Sequence, residues 1–204
     1  MQTNKKPSIS NETRHAFRRP AIEMCLHLFD QIDYVLDLET TGLNVIHAEA
    51  IQVGVVELKT RHPIINDLLL PPIPIDKGAT RVHGKDEKWL KDCNAEKFTE
   101  EYAKYYKSLL DGKVIAGYNV AFDACILDNM CVRRGFTPIA PAGWIDVMPI
   151  FNLIYGQWST KRHNFAWQKL AKFNVEKREL HDAVTDCLVV CDYMHHIVNM
   201  TEKR

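Results

Sequence analysis

The stretch Val35–Leu43, VLDLETTGL, decides the fold. Val35, Leu36 and Leu38 favour burial, yet Asp37 and Glu39 stand two residues apart in the same run. A strand has a side-chain period of two, so both carboxylates project from one face. Two acids on one face of a core strand repel each other and lose hydration unless something positive meets them. Thr41-Gly42 then breaks the run as a turn.

Outward from this point the pattern is that of a mixed sheet. Residues 33–39 read as a short buried strand, 50–59 (AIQVGVVELK) as a second and 63–72 (PIINDLLLPP) as a third, stopped by prolines. Three strands on short links predict an antiparallel meander. The period then changes. Phe98, Tyr102, Tyr105 and Leu109 define one face of a helix over 97–110. A buried strand at 113–119, a helix at 121–135 with basic residues in its last turn, and a stretch at 143–151 that holds a fifth strand follow. Helices are predicted at 164–173 and 182–198. This order predicts an α/β three-layer domain, a five-stranded mixed sheet flanked by helices. Ahead of it, residues 1–10 read as disordered and 11–30 as a helical arm interrupted by Pro20.

The bulk numbers exclude little. A chain of 204 residues is about one domain. It carries 26 basic and 26 acidic side chains, so no global field announces a polyanionic partner. Carboxylate-held cations can still bring one in. Residues 1–20 hold five basic side chains against Glu12, which reads as a solvated basic tail or a flap touching phosphates. No apolar run is long enough to span a membrane and no signal-peptide core occurs, so a cytoplasmic location is expected. The six cysteines form no CxxC and read as reduced thiols, mostly buried. Cys187, Cys191 and His195 share a helix face, but eight helical residues span about 12 Å, too far for one zinc ion.

Two further acids join the pair. Asp123 starts the helix directly after the strand at 113–119, and Asp186 sits at the edge of the apolar stripe of the last helix. Four converging carboxylates suit Mg²⁺ or Mn²⁺. At these residues the chain resembles a known family. DLETTG (37–42), NVAFD (119–123) and HDAVTD (181–186) resemble, in order and spacing, the three motifs of the DEDDh 3′–5′ exonucleases. That group includes the proofreading ε subunit of bacterial DNA polymerase III. ATRVHG (79–84) and WIDV (144–147) resemble softer features of the family, and the likeness covers about residues 33–198.

The resemblance implies an RNase H-like fold, with an exonuclease domain over 31–204 and a basic arm over 1–30. It implies two divalent metal ions, Mg²⁺ with Mn²⁺ able to substitute. Asp37, Glu39 and Asp186 would ligate the first, Asp37 would bridge to the second, and Asp123 would act largely through metal-bound water. His181 would be the general base, since an imidazole exchanges protons near neutral pH. The backbone around Thr40 and Thr41 would bond the terminal sugar and phosphate, with Gly42 letting the chain turn close. Leu43 and Phe122 would meet the last bases, because stacking tolerates any base. Asn119 and His83 are candidate polar contacts.

The expected function is release of nucleoside 5′-monophosphates from 3′ ends of single-stranded or frayed nucleic acid. DNA is preferred, because DLETTGL and NVAFD resemble the proofreading branch. The alternatives are an exoribonuclease like RNase T or oligoribonuclease, and a non-catalytic module that kept the fold. A polymerase is a candidate partner. CLHLF (25–29) faintly resembles peptides that bind sliding clamps, and packing of the arm onto the core explains it equally.

Overall fold

The structure is a computed structural model describing residues 9–202. Residues 1–8, within the segment expected to be disordered, lie outside those described, and Ser10 caps the first helix. The central sheet runs in the order β3-β2-β1-β4-β5. β1 (Tyr34–Thr40), β2 (Ala50–Glu57) and β3 (Pro63–Leu68) form the antiparallel meander. β4 (Val114–Gly117) and β5 (Gly143–Asp146) add on the other side of β1, parallel to it. The mixed five-stranded sheet expected from the sequence is the one observed.

Alternation along β1 decides what covers each face. Leu36 and Leu38 join Tyr106 and Leu110 of α4 (Glu100–Leu110) and Ile126 and Met130 of α5 (Val120–Arg134). Val35 joins the opposite core, built from α1 (Asn11–Phe29), α6 (Met148–Tyr155) and α7 (Ala183–Glu202). Asp37 and Glu39 continue the Val35 face past the end of that core. The sheet is thus sandwiched between two helical layers.

Three sequence expectations are corrected. α1 runs through Pro20 without interruption. The lost bond to the Ala16 carbonyl falls on an exposed turn, where water replaces it. Burial of Ala21, Cys25 and Phe29 holds the helix, a large side chain contributing about 1.5–3 kcal/mol. CLHLF is therefore packed against the core. The fifth strand expected within 143–151 is β5, and the chain then enters α6, whose first turn holds Pro149. The helix expected over 164–173 is instead a β-hairpin, β6 (Trp158–Ser159) with β7 (Asn164–Phe165), followed by a 3₁₀ turn at Leu170–Phe173. Here tertiary bonds replace helical ones: Gln168 N–H donates to Asn152 Oδ1 (2.8 Å), and Tyr118 Oη donates to Gln168 O (2.6 Å). The inward face of α4 is Ala103, Tyr106 and Leu110, and Tyr105 is largely exposed. Phe98, Tyr102 and Leu109 pack against that core as expected, and only Tyr105 of the expected stripe points away from it. Two short helices, α2 (Lys77–His83) and α3 (Glu87–Asp92), were not anticipated.

Candidate active site

Gly54 sets the geometry. It pairs with Asp37 across β1 and β2. A Cβ there would lie 2.5 Å from the carbonyl carbon of Ala183 and 2.7 Å from Val184 N. Only the missing side chain lets the first turn of α7 press onto the sheet. Gln52, opposite Glu39, fastens that turn. Its Nε2 donates to Asp182 Oδ2 (2.7 Å), and its Oε1 accepts from Ala183 N (3.3 Å). Asp182 caps α7 by accepting from Thr185 N (3.1 Å).

This docking brings Asp186 to the pair on β1. One carboxylate oxygen each from Asp37, Glu39 and Asp186 lie within 4.8 Å of one another. Asp123 reaches the same strand from α5, where its Oδ1 accepts from Leu38 N (3.1 Å). His181 stands at the rim, exposed, with a left-handed backbone (φ 71°). Its N–H donates to Asp186 Oδ1 (3.3 Å). The sequence-predicted acids and histidine are thus brought together from three separate segments.

Burial, then mutual repulsion, dominates the electrostatics. Desolvation first, and Asp123, Asp186 and Glu39 next, push Asp37 well above the ordinary carboxylate range. Burial pushes Glu39 up to about 7, with Lys85 pulling the other way. Asp123 is pushed up to about 8 by burial, against the bond from Leu38 N–H. Asp186 is raised by burial, opposed by His181. Acids held this close and this dry without a cation resist ionisation. All-oxygen donors of this number and spacing fit a hard divalent cation.

The expected substrate contacts are placed more unevenly. Leu43 is 87% exposed and Ile46 60%, on a loop beside the acids. That loop is fixed by Glu49, itself 3% exposed. Glu49 accepts from Arg133 Nη2 and Arg134 Nη2, each at 2.7 Å, and Arg133 also holds the carbonyls of Ile46 and Ala48. Phe122 is half-buried against the α4–α5 core. Asn119 is exposed and left-handed (φ 68°), a conformation asparagine tolerates. Its N–H is held by Asp146 Oδ1 (2.9 Å). The two threonines use their hydroxyls locally: Thr40 Oγ1 donates to Gly42 O (3.0 Å), and Thr41 Oγ1 accepts from Glu49 N (3.0 Å). The open side of Gly42 is filled by the Asp76 carboxylate. His83 is buried with both ring nitrogens engaged, Nε2 at Thr40 O (3.3 Å) and Nδ1 accepting from Lys85 N (3.0 Å).

Sequence reasoning passed over Gln52, Gly54, Asp146, Asp182 and Lys85. A glycine inside a β-branched run was the available signal for Gly54. A polar residue in the same run was the signal for Gln52. Nothing in the local sequence marks Lys85.

The class is defined at this point: a mixed-sheet α/β domain whose central strand carries a carboxylate site suited to divalent cations. A model of the exonuclease family (RNase T type) matches residues 34–194. The chain belongs to that exonuclease family. Among relatives, the chain is 27% identical over 172 residues to a PolC-type DNA polymerase III of Caldanaerobacter subterraneus subsp. tengcongensis, covering 83% of this chain and 11% of the relative. It is 26% identical over 156 residues to the PolC-type DNA polymerase III of Lacticaseibacillus paracasei, covering 74% and 10%. The chain thus spans about a tenth of the length of the curated relatives it matches. Among solved structures, E. coli exonuclease I in complex with a dA16 oligonucleotide superposes with a TM-score of 0.61 at 18% identity, over 82% of this chain and 40% of the other. The nuclease domain of 3′hExo, a DEDDh family member bound to rAMP, superposes with a TM-score of 0.59 at 13% identity, over 83% and 93%. Among the described residues no helix is long and apolar enough to cross a membrane.

Proposed function

We propose that this chain hydrolyses single-stranded or frayed DNA from the 3′ end, releasing nucleoside 5′-monophosphates, with two divalent metal ions and His181 as general base. The observation that carries the reading is the convergence of Asp37, Glu39 and Asp186 within 4.8 Å, with Asp123 accepting from Leu38 N–H between the two strand acids and the His181 backbone N–H donating to Asp186. Asp37, Glu39 and Asp186 would hold one ion, Asp37 would be shared with the second, and Asp123 would face it. When bound, Mg²⁺ or Mn²⁺ would offset the carboxylate charge and stabilise the attacking and leaving oxygens of an in-line displacement at phosphorus.

The chain's own groups do the rest. His181 takes the proton of the attacking water, and its exposed position lets it reach and release that proton. Leu43, rigidly mounted, meets the terminal base, and Phe122 supports it from α5. With the Thr40 and Thr41 hydroxyls occupied, the terminal sugar and phosphate are left to the backbone of the turn. Asn119 is an exposed polar contact, whereas His83 braces the end of β1. The PolC-type relatives support a polymerase as partner, and α1, from the basic arm expected over residues 1–30, packs on the core of the domain through Ala21, Cys25 and Phe29.

The test is incubation with 5′-labelled single-stranded DNA and RNA of one sequence, with Mg²⁺, Mn²⁺ or EDTA. A metal-dependent 3′-shortening ladder, faster on DNA and lost in Asp37→Ala, is expected. Asp37→Ala protein that shortens DNA at the wild-type rate would remove the proposal. Faster shortening of RNA would replace DNA with the exoribonuclease reading. No shortening of either strand with any metal would leave a nucleic-acid-binding module.

A further inference from the structure

Lys85 is a buried lysine that the proposed chemistry leaves without a role. It is 6% exposed and follows Gly84, whose left-handed backbone (φ 73°) ends α2 and turns the chain toward the acids. An ammonium taken out of water needs partners. Lys85 Nζ donates to the carbonyl oxygen of His181 at 2.8 Å and stands 5.8 Å from the centre of the Trp89 ring. An ammonium has three donors, and the bond to His181 is its one hydrogen bond among the described residues.

That carbonyl belongs to a residue in an unfavourable conformation. A left-handed backbone in a residue other than glycine costs roughly 1–3 kcal/mol and persists only where its surroundings hold it. For His181 the holding groups are visible at both ends: Asp186 Oδ1 accepts its N–H, and Lys85 donates to its C=O. The backbone around the imidazole is thus tied to one acid of the cluster and to a cation nearby. Lys85 also pulls Glu39 and Asp186 back toward ionisation, so it lies within the field of the cluster.

We propose that Lys85 is a positioning residue for His181, its ammonium fixing the His181 carbonyl and thereby the strained backbone that presents the imidazole at the acid cluster. The inference rests on the reading of His181 as general base. Two other roles are open to a buried ammonium here, contact with a substrate phosphate or direct offset of the carboxylates. Each predicts a different experimental outcome.

The experiment is a double-mutant cycle of Lys85→Met and His181→Ala on a labelled single-stranded oligonucleotide with saturating Mg²⁺. It is accompanied by the His181 Hε1 resonance of the metal-free protein and by Mg²⁺ binding from calorimetry. Methionine is close to lysine in length and lacks the charge. Expected for Lys85→Met are a kcat about 10- to 100-fold lower and a KM and Mg²⁺ affinity within about threefold of wild type. The His181 resonance should shift or broaden while the remaining spectrum stays folded. The double variant should be no slower than His181→Ala within about twofold, because a residue acting through His181 has nothing left to act on. Lys85→Arg, which keeps a donor and the charge, should retain more activity than Lys85→Met. It takes that variant's place in the cycle if Lys85→Met does not fold. Multiplicative losses, a KM rise with kcat unchanged, a changed Mg²⁺ affinity or an unmoved His181 resonance would each overturn the proposal. If His181→Ala itself kept the wild-type rate, the general-base reading would fail instead, and the resonance would still report whether Lys85 holds His181.

Discussion

Replacing Gly54 with alanine tests how the site is assembled. The added Cβ would lie 2.5 Å from Ala183 C, 2.7 Å from Val184 N and 2.8 Å from Ala183 O. All three are backbone atoms, so no flexible side chain can swing aside. Ordinary carbon contacts are about 3.5–4.0 Å, so the first turn of α7 must retreat by about 1 Å. His181 precedes that turn and Asp186 lies within it, so both move away from Asp37. A misplacement of that size costs on the order of 10²-fold in rate. Overpacking adds about 1–3 kcal/mol of destabilisation, or roughly 2–12 °C in Tm for a chain of this size. Thermal unfolding and 3′-shortening rates for Gly54→Ala and Gly143→Ala provide the comparison. Gly143 is also in a strand, yet nothing lies within 4 Å of its Cβ position, so Gly143→Ala should leave rate and Tm near wild type. A Gly54→Ala protein with wild-type rate and Tm would show that close docking of α7 does not build the site.

Other outcomes follow from the charges and from α1. Glu39 and Asp123 have folded-state values raised to about 7 and about 8. The folded state therefore binds more protons than the unfolded state from about pH 4 upward, and stability falls as pH rises through those values. For Glu39 alone the loss is on the order of 3 kcal/mol. Calorimetry of metal-free protein should show Tm falling from pH 5 to pH 8, and Mg²⁺ should restore more Tm at pH 8 than at pH 5. Asp186→Asn should lower the exonuclease rate at least about 100-fold, ~2.7 kcal/mol of barrier, while raising Tm of the metal-free protein at pH 8. Glu49→Ala strands Arg133 and Arg134, whose side chains are 28% and 20% exposed. A urea titration should show a loss near the low end for a broken buried pair, about 3 kcal/mol, and KM for single-stranded DNA should rise as the Leu43 loop loosens. Pro20→Ala restores the bond to the Ala16 carbonyl in the middle of α1 and should raise Tm, with a gain of up to about 3 kcal/mol.

The acids were legible in the sequence because burial of charge is rare and a strand's period is fixed. Asp37 and Glu39 announced their shared face, and the sheet followed from runs of Val and Ile. Register and packing were not legible. Tyr105 reads as an inward residue in place of Tyr106 because either fits a helical period with Tyr102 and Leu109, and only the facing core separates them. The helix expected over 164–173 gave way to hydrogen bonds of the Gln168 backbone, its N–H donating to Asn152 and its C=O accepting from Tyr118, 16 and 50 residues distant. Lys85 has no local signal at all, since its meaning lies in a carbonyl 96 residues away.

The sheet order also explains why the acids gather where they do. The chain leaves β1 for β2 on one side and later returns to place β4 on the other. The connections from β1 and from β4 part at the C-terminal end of β1, as at the switch points of other α/β sheets, where ligands bind. Glu39 stands at that end, just before the register shift between Glu39 and Thr40. β4 ends earlier, with Gly117 against Leu36, and turns through Asn119 into α5, which delivers Asp123 within one helical turn. α7 arrives from the opposite layer and, over the bare Cα of Gly54, delivers Asp186. The place comes from topology, the approach from one glycine, and the charge from three segments that no local pairing brings together. Such a site opposes its own folding, because each added acid raises the resistance of the others to ionisation. A bound divalent cation reverses that sign, which makes metal-dependent stability, as well as metal-dependent activity, the expected signature of this arrangement.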